Sequence, residues 1–319
     1  MKEIGGYFGL EKLISNEYYR DLIPLNTGRN ALLYLLKARQ IKKLYIPYYL
    51  CNSVSDMCSR NGYELGYYNV NTDFMPIFNK PLADDEYLYV VNYYGQLTEE
   101  KVIDLRRQFI QIILDNTHAF FQRPLDGIDT IYSCRKFFGV PDGAYLSTDA
   151  DFKEVLDVDV SRGRMTHILG RYEGVASHFY NEFQANDASF KTEPLKKMSK
   201  LTHNLLGAID YDRVRRIRNE NYAFLERKLS GLNNLKLLAP NGAFAYPFYV
   251  TDGTEIRRVL AQNKIYIPTL WPNVLTTTPR DWIEQDYAAN ILPLPCDQRF
   301  GIRAMMFVIK YLYEVVKHD

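Results

Sequence analysis

The sequence predicts an α/β fold in which a large domain on a mostly parallel sheet, flanked by helices, precedes a smaller C-terminal α+β domain. Three observations carry this. Short apolar runs alternate with amphipathic stretches through the first half, the rhythm of strands joined by crossover helices. The run 110–114, Ile-Gln-Ile-Ile-Leu, reads as a buried strand and stops at the polar cluster Asp115, Asn116, Thr117 and His118. From Asp212 a basic helix leads into a strand over 244–250 and a closing helix near 301–317. A chain of 319 residues suits two domains of roughly 150 residues each, and we divide it into 1–210 and 211–319.

The elements follow in order. Thr27 is an N-cap candidate for the good helix formers Ala31 to Lys37. Residues 44–46 form a short buried strand that Pro47 stops, and 63–70 is a further strand candidate. The run 87–92 is β-branched and aromatic and is followed by the turn Tyr93-Tyr94-Gly95; a helix over 98–108 comes next, charged on one face. Residues 129–133 and 143–147 read as neighbouring strands across a loop that holds Lys136. The stretch 151–207 is less regular, and no internal repeat or low-complexity segment occurs.

Composition excludes several classes. Apolar residues at 47% and charged residues at 24% are ordinary for a globular chain and exclude wholesale disorder. Thirty-nine basic against 38 acidic residues leave a net charge of +1, which provides no long-range field for nucleic acid or an anionic membrane, so neither is expected as a partner. No uncharged apolar stretch reaches the roughly 20 residues that cross a bilayer. The four cysteines, without a signal-like start, suggest neither a disulfide scaffold nor secretion, and the chain reads as cytoplasmic. The five histidines are far apart and no metal-ligand spacing occurs, so no metal site is expected. Aromatics are abundant at 14%, with 26 Tyr and 17 Phe.

In open α/β sheets ligands sit beyond the carboxyl ends of the strands, and three such ends carry polar clusters. The helix start at Thr27-Gly28-Arg29-Asn30 offers free amides and a positive dipole end for a phosphate. Asp115 with His118 is the second cluster, and Ser133-Cys134-Arg135-Lys136 the third. A phosphate cradle, an acid closing a buried strand and a lysine after a serine are the parts that pyridoxal phosphate needs. Taken singly, each has an ordinary reading: Asp115 as a turn residue, Lys136 as a solvated loop residue, Thr27 as a plain helix cap. Their order and spacing carry the argument.

With these segments in view, the chain resembles the fold type I pyridoxal-phosphate enzymes, and among them the DegT-like nucleotide-sugar aminotransferases. That family's Ser-Gly-Thr-Ala-Ala-Leu start is similar to residues 27–32 here, its Pro-Ser-Tyr-Thr to 47–50, and its Val-His-Leu-Tyr-Gly to 91–95. Its Glu-Asp-x-Ala-His falls on 114–118, its serine-to-lysine loop on Ser133 through Lys136 to Gly143, its interdomain helix on Arg218-Asn219 through Tyr222 and Leu225, and its late Leu-Pro segment on 292–295.

The resemblance implies roles. Lys136 forms the imine, Asp115 partners the pyridine nitrogen, and His118 lies by the ring's phenolic oxygen, while Ser133 with the Gly28, Arg29 and Asn30 helix start binds the phosphate. The serine-to-lysine spacing is two residues shorter than the family pattern, and Cys51 stands where the family places an aromatic over the ring, with Tyr49 as a substitute. Asn181 is the counterpart of an asparagine contributed by the partner subunit, which implies a homodimer with shared sites. The implied activity is transfer of an amino group from a donor, glutamate in the family, to a keto-sugar, nucleotide-linked, for surface-polysaccharide or secondary-metabolite sugars. Arg162, Arg164 and Arg171 are candidates for a diphosphate. The alternatives are another pyridoxal-phosphate reaction, such as dehydration or elimination, or a non-catalytic descendant used for binding or regulation.

Overall fold

The computed structural model describes residues 4–316. Its elements run β1 (Ile23–Leu25), α1 (Gly28–Ala38), β2 (Lys43–Pro47), α2 (Asn52–Arg60), β3 (Glu64–Val70), β4 (Pro76–Ile77), β5 (Glu86–Val91), α3 (Glu99–Gln108), β6 (Ile112–Asp115), β7 (Asp129–Ser133) and β8 (Ala144–Ser147). Then come α4 (Thr166–Glu173), α5 (Tyr180–Ser189), α6 (Lys200–Leu206), α7 (Tyr211–Leu229), β9 (Tyr246–Tyr249), α8 (Gly253–Gln262), α9 (Val274–Thr277), α10 (Ile283–Asn290), β10 (Ile291–Leu294) and α11 (Ile302–Val316).

Eight strands form one sheet in the order β1-β8-β7-β6-β5-β2-β3-β4. The five strands β7, β6, β5, β2 and β3 are mutually parallel, whereas β8, β1 and β4 join antiparallel. The inner parallel strands β2, β5, β6 and β7 are largely buried on both faces, as a sheet covered by helices requires, whereas β3 exposes Glu64 and Tyr67. Register aligns their carboxyl ends: Val91 is opposite Asp115, and Asp115 is opposite Ile131. Every loop that leaves these strands therefore starts from one edge. β9 and β10 pair in a second, two-stranded sheet.

One core lies on the large sheet and takes in Trp271, Val274, Tyr287 and Ile291 from the later part of the chain. A second packs Tyr222 and Leu225 of α7 against β9, β10, α8 and α11. A third, rich in aromatic rings, lies beneath the loop that follows β7 and includes Phe120, Phe137, Phe138 and Tyr211.

Several boundaries move relative to the sequence reading. The strand expected at 110–114 sits at 112–115, because Ile110 is 69% exposed and the ladder partners begin at Ile112. Asp115 is thus the last residue of the strand. The basic helix is longer than read: Asp210 accepts a hydrogen bond from the Arg213 amide and caps it, and it runs on to Leu229. The stretch 151–207 holds α4, α5 and α6, and the expected 244–250 strand shortens to 246–249, which leaves Phe244 outside the pairing.

The loop that holds Lys136 closes on itself. The Cys134 amide donates to Gly143 O at 3.1 Å, and the Gly143 amide donates to Asn26 O at 2.7 Å. Asp142, buried, accepts from the Ser199 amide at 2.9 Å and the Ser199 hydroxyl at 2.7 Å, and Thr202 also donates to it. Gly143 has a φ of +116°, and a Cβ there would lie 3.0 Å from Thr202 Cγ2 and 3.3 Å from both Cys134 Cβ and Met198 Cε. Gly143→Ala is therefore expected to destabilise the chain by about 1–3 kcal/mol, read as a lower urea midpoint at unchanged slope.

Candidate active site

Lys136 follows the end of β7 on a single turn, in which the amides of Phe137 and Phe138 donate to Cys134 O at 3.0 and 2.9 Å. Its ammonium carbon stem is half-buried, and Nζ lies 3.2 Å from His118 Nε2 and 5.4 Å from the centre of the Phe244 ring. His118 arrives from the loop after β6. Its imidazole is 2% exposed and stacks on Phe244, with centroids 4.1 Å apart and planes 8° apart, while Trp271 lies 5.9 Å away at 18°. Burial, and secondarily the Lys136 charge, push the His118 pKa well below 6.5, so the ring is neutral near pH 7. A lysine that donates to Nε2 places the ring proton on Nδ1, and Nδ1 is buried with no hydrogen-bond partner.

Asp115 is 5% exposed and held at both oxygens: Oδ1 accepts from the Thr117 amide at 2.8 Å and Oδ2 from the Tyr89 hydroxyl at 2.7 Å. Tyr89 comes from β5, the neighbouring strand, and its own carbonyl accepts from the Tyr68 hydroxyl at 2.6 Å. Burial first, then the Asp115 carboxylate, push the Tyr89 hydroxyl well above 10, which keeps it a donor. An ionised carboxylate has about four lone-pair positions, and these two bonds fill half of them while fixing its plane.

At the head of α1 the Thr27 hydroxyl accepts from the Asn30 amide at 3.1 Å. The first-turn amides of Gly28 and Arg29 have no acceptor within the helix. A Cβ on Gly28 would lie 3.7 Å from Thr117 Cγ2 and 3.8 Å from Ile131 Cγ2, so the helix start sits beside the loop after β6 and beside β7. Asn30 departs from its expected part in the phosphate cradle. Its amide is committed to Thr27, and its side chain turns inward to Asn26 Oδ1 at 2.9 Å and Pro194 O at 2.8 Å. Ser133 is half-buried at the end of β7.

Tyr49 is buried among the rings of Tyr93 and Trp271, at 5.1 and 5.2 Å. Cys51 is the cap residue of α2, and its sulfur lies 2.9 Å from Ser53 Oγ. Asn181 is exposed on α5. Of the arginines proposed for a diphosphate, Arg164 is committed to Asp159 at 2.6 Å and Glu193 at 3.6 Å and stacks on Phe190, whereas Arg162 and Arg171 are exposed or nearly so. A cavity of about 620 Å³ lies beside His118, with Phe121, Arg123, Arg215, Pro240 and Gly242 in its walls. Phe244, Trp271 and Tyr89 were not singled out as site residues from the sequence. Their signal there is only aromatic character, which 45 Tyr, Phe and Trp residues share.

Among the described residues no group of three His, Cys, Asp or Glu side chains is placed to hold a metal, and no helix is long and apolar enough to cross a membrane. A histidine kept neutral by burial takes up its proton only on unfolding. Below about pH 6.5 the unfolded chain therefore binds more protons, and this stabilisation is lost as pH falls, at up to about 1.4 kcal/mol per unit. His118→Gln is expected to narrow the fall in melting temperature between about pH 7.5 and about pH 5 relative to the parent chain.

No family model matches the chain, and no curated protein matches it in sequence. Solved structures do match in shape. NtdA from Bacillus subtilis, with bound cofactor PMP, is 14% identical with a TM-score of 0.65 and covers 94% of this chain and 74% of its own. A DegT DnrJ EryC1 StrS aminotransferase from Brucella abortus is 13% identical, with a TM-score of 0.62 over 92% of this chain and 85% of that one. The sugar aminotransferase CalS13 from Micromonospora echinospora is 14% identical, with a TM-score of 0.60 over 92% and 87%. The mostly parallel sheet, its strand order and this likeness over nine-tenths of the chain together give the protein the fold type I architecture of the DegT-like sugar aminotransferases.

Proposed function

We propose that the protein is a pyridoxal-phosphate-dependent aminotransferase that moves an amino group to a keto-sugar. The observation that carries this reading is the meeting of Lys136 Nζ with a neutral His118 at one edge of a sheet whose next strand end is the doubly held Asp115. The residues present fit the cofactor. His118 Nδ1 is a buried donor without an acceptor, a state that costs about 1–3 kcal/mol and that a phenolic oxygen would relieve. Asp115 has capacity left for a ring N–H, and the amides of Gly28 and Arg29 with Ser133 suit a phosphate.

Pyridoxal phosphate, when bound, supplies an aldehyde that condenses with amines and a ring that withdraws electrons from the adjoining carbon. Lys136 would be the residue that holds the cofactor's aldehyde and, as a free amine, the base that carries a proton to and from the donor's α-carbon. His118 accepts at Nε2 and so orients that amine, and its neutrality avoids a second cation beside Lys136. Asp115, fixed by Tyr89 and the Thr117 amide, would be the partner of the cofactor's ring nitrogen. Phe244 and Trp271 exclude water from the imidazole.

Glutamate as donor, a nucleotide-linked sugar as acceptor, a place in polysaccharide or secondary-metabolite sugar synthesis and a cytoplasmic location belong to the same proposal. Arg123 and Arg215 in the cavity beside His118 suit an acidic group on the substrate, and the committed Arg164 is set aside. The homodimer is supported by apolar side chains left exposed on the α4–α5 stretch that carries Asn181: Leu169 at 54%, Tyr172 at 91%, Tyr180 at 56% and Phe183 at 44%. Asn181 would then act in the partner's site, with the division at 210 and 211 separating the sheet domain from the part that α7 begins.

Lys136→Ala is expected to abolish both the borohydride-trapped cofactor adduct and the half-reaction with glutamate. An adduct that persists on another residue overturns the assignment. Asp115→Asn is expected to retain the adduct while slowing single-turnover proton removal by about 100-fold or more, followed by stopped-flow absorbance. Stoichiometric release of the keto acid separates transfer from elimination, and a parent chain that forms no adduct at all refutes the enzyme reading.

A further inference from the structure

Arg218, on α7, is 1% exposed, yet among the described residues no carboxylate forms an ion pair with it: the nearby Asp297 is engaged by Arg299 at 2.7 and 2.8 Å. A buried cation that bonds no carboxylate is costly, so each nitrogen of its fork needs an acceptor. Nε donates to Gln298 Oε1 at 2.8 Å, Nη1 to Ala243 O at 2.7 Å and Phe244 O at 3.4 Å, and Nη2 to Phe137 O at 3.2 Å. The guanidinium lies over the Phe137 ring, 4.5 Å from its centre. Gln298 in turn donates its own Nε2 to Phe137 O at 2.7 Å.

The three acceptor segments are not arbitrary. Phe137 is the residue after Lys136, and Phe244 is the ring that stacks on His118. One guanidinium thus fixes the backbone behind the amine and the backbone behind the aromatic wall, from a helix that lines the second core. We propose that Arg218, with Gln298 as its partner, is a positioning residue that sets the separation and alignment of the Lys136 amine and the His118 imidazole. The proposal rests on the reading of Lys136 as the reactive amine, although the contact it explains is independent of any ligand.

The experiment uses the full purified chain and two variants, Arg218→Lys and Gln298→Met. The first retains the charge without the fork, and the second removes the shared bonds at a half-buried site. Two readouts are taken beside thermal melting. One is the rate of Lys136 acylation by an amine-selective reagent as a function of pH, mapped by mass spectrometry on protein without added cofactor. The other is the rate of borohydride-trapped adduct formation with pyridoxal phosphate. In folded Gln298→Met the midpoint of the acylation profile is expected to shift and adduct formation to slow by about tenfold or more, with Arg218→Lys no better. Unchanged profiles and adduct rates in folded Gln298→Met overturn the proposal whether or not Arg218→Lys folds. If the parent chain forms no adduct, the cofactor reading fails, and the acylation profile alone still decides the role of Arg218.

Discussion

The register of β5, β6 and β7 is the constraint on which the rest depends. Parallel strands buried on both faces must end together, and where they end their polar groups lose the ladder and need other partners. Here Val91, Asp115 and Ile131 are level, and the ladder is carried on by the Asn92 amide on Asp115 O and the Asn116 amide on Ile131 O. The side chain of Asn92 then bonds Asn116 Oδ1 and Gln122 Oε1, which locks the loops after β5 and β6 together. A one-residue slip of β6 would turn Asp115 to the other face of the sheet and remove it from Tyr89.

On that edge the chemistry is arranged by backbone rather than by charge. The amine comes from the turn after β7, the imidazole from the loop after β6, and the carboxylate from the last residue of β6. Tyrosine serves the same end repeatedly. Tyr19, Tyr68, Tyr93, Tyr132, Tyr211 and Tyr222 each bury a ring while the hydroxyl donates to a backbone carbonyl. This gives six of the 26 tyrosines a use that composition alone does not show.

The elements legible in the sequence were those whose pattern is local. The strands at 86–91, 112–115 and 129–133, the N-cap at Thr27 and the linear order of Asp115, His118 and Lys136 all follow from runs of apolar residues and what interrupts them. What was illegible is set by contacts distant in sequence. β1 is three residues long and exists because β8 pairs with it. Phe244 looks like strand until β10 leaves it unpaired, and the use of Arg218 depends on carbonyls 25 to 81 residues away. Asn30 is the converse case: its place in a motif suggests a ligand, while its amide bonds Thr27 and its side chain turns inward to Asn26, Glu193 and Pro194.

The position of the tryptophans has an optical consequence. The chain has only two, and both lie at or near this edge: Trp271 is nearly parallel to His118 and in edge contact with Tyr49, and Trp282 meets Tyr48 at 4.9 Å. Because Trp271 is buried 5.9 Å from the imidazole, its emission is an intrinsic gauge of what happens there. A chromophore that settled against His118 would quench this indole by energy transfer, so the molecule contains its own occupancy meter without any attached dye.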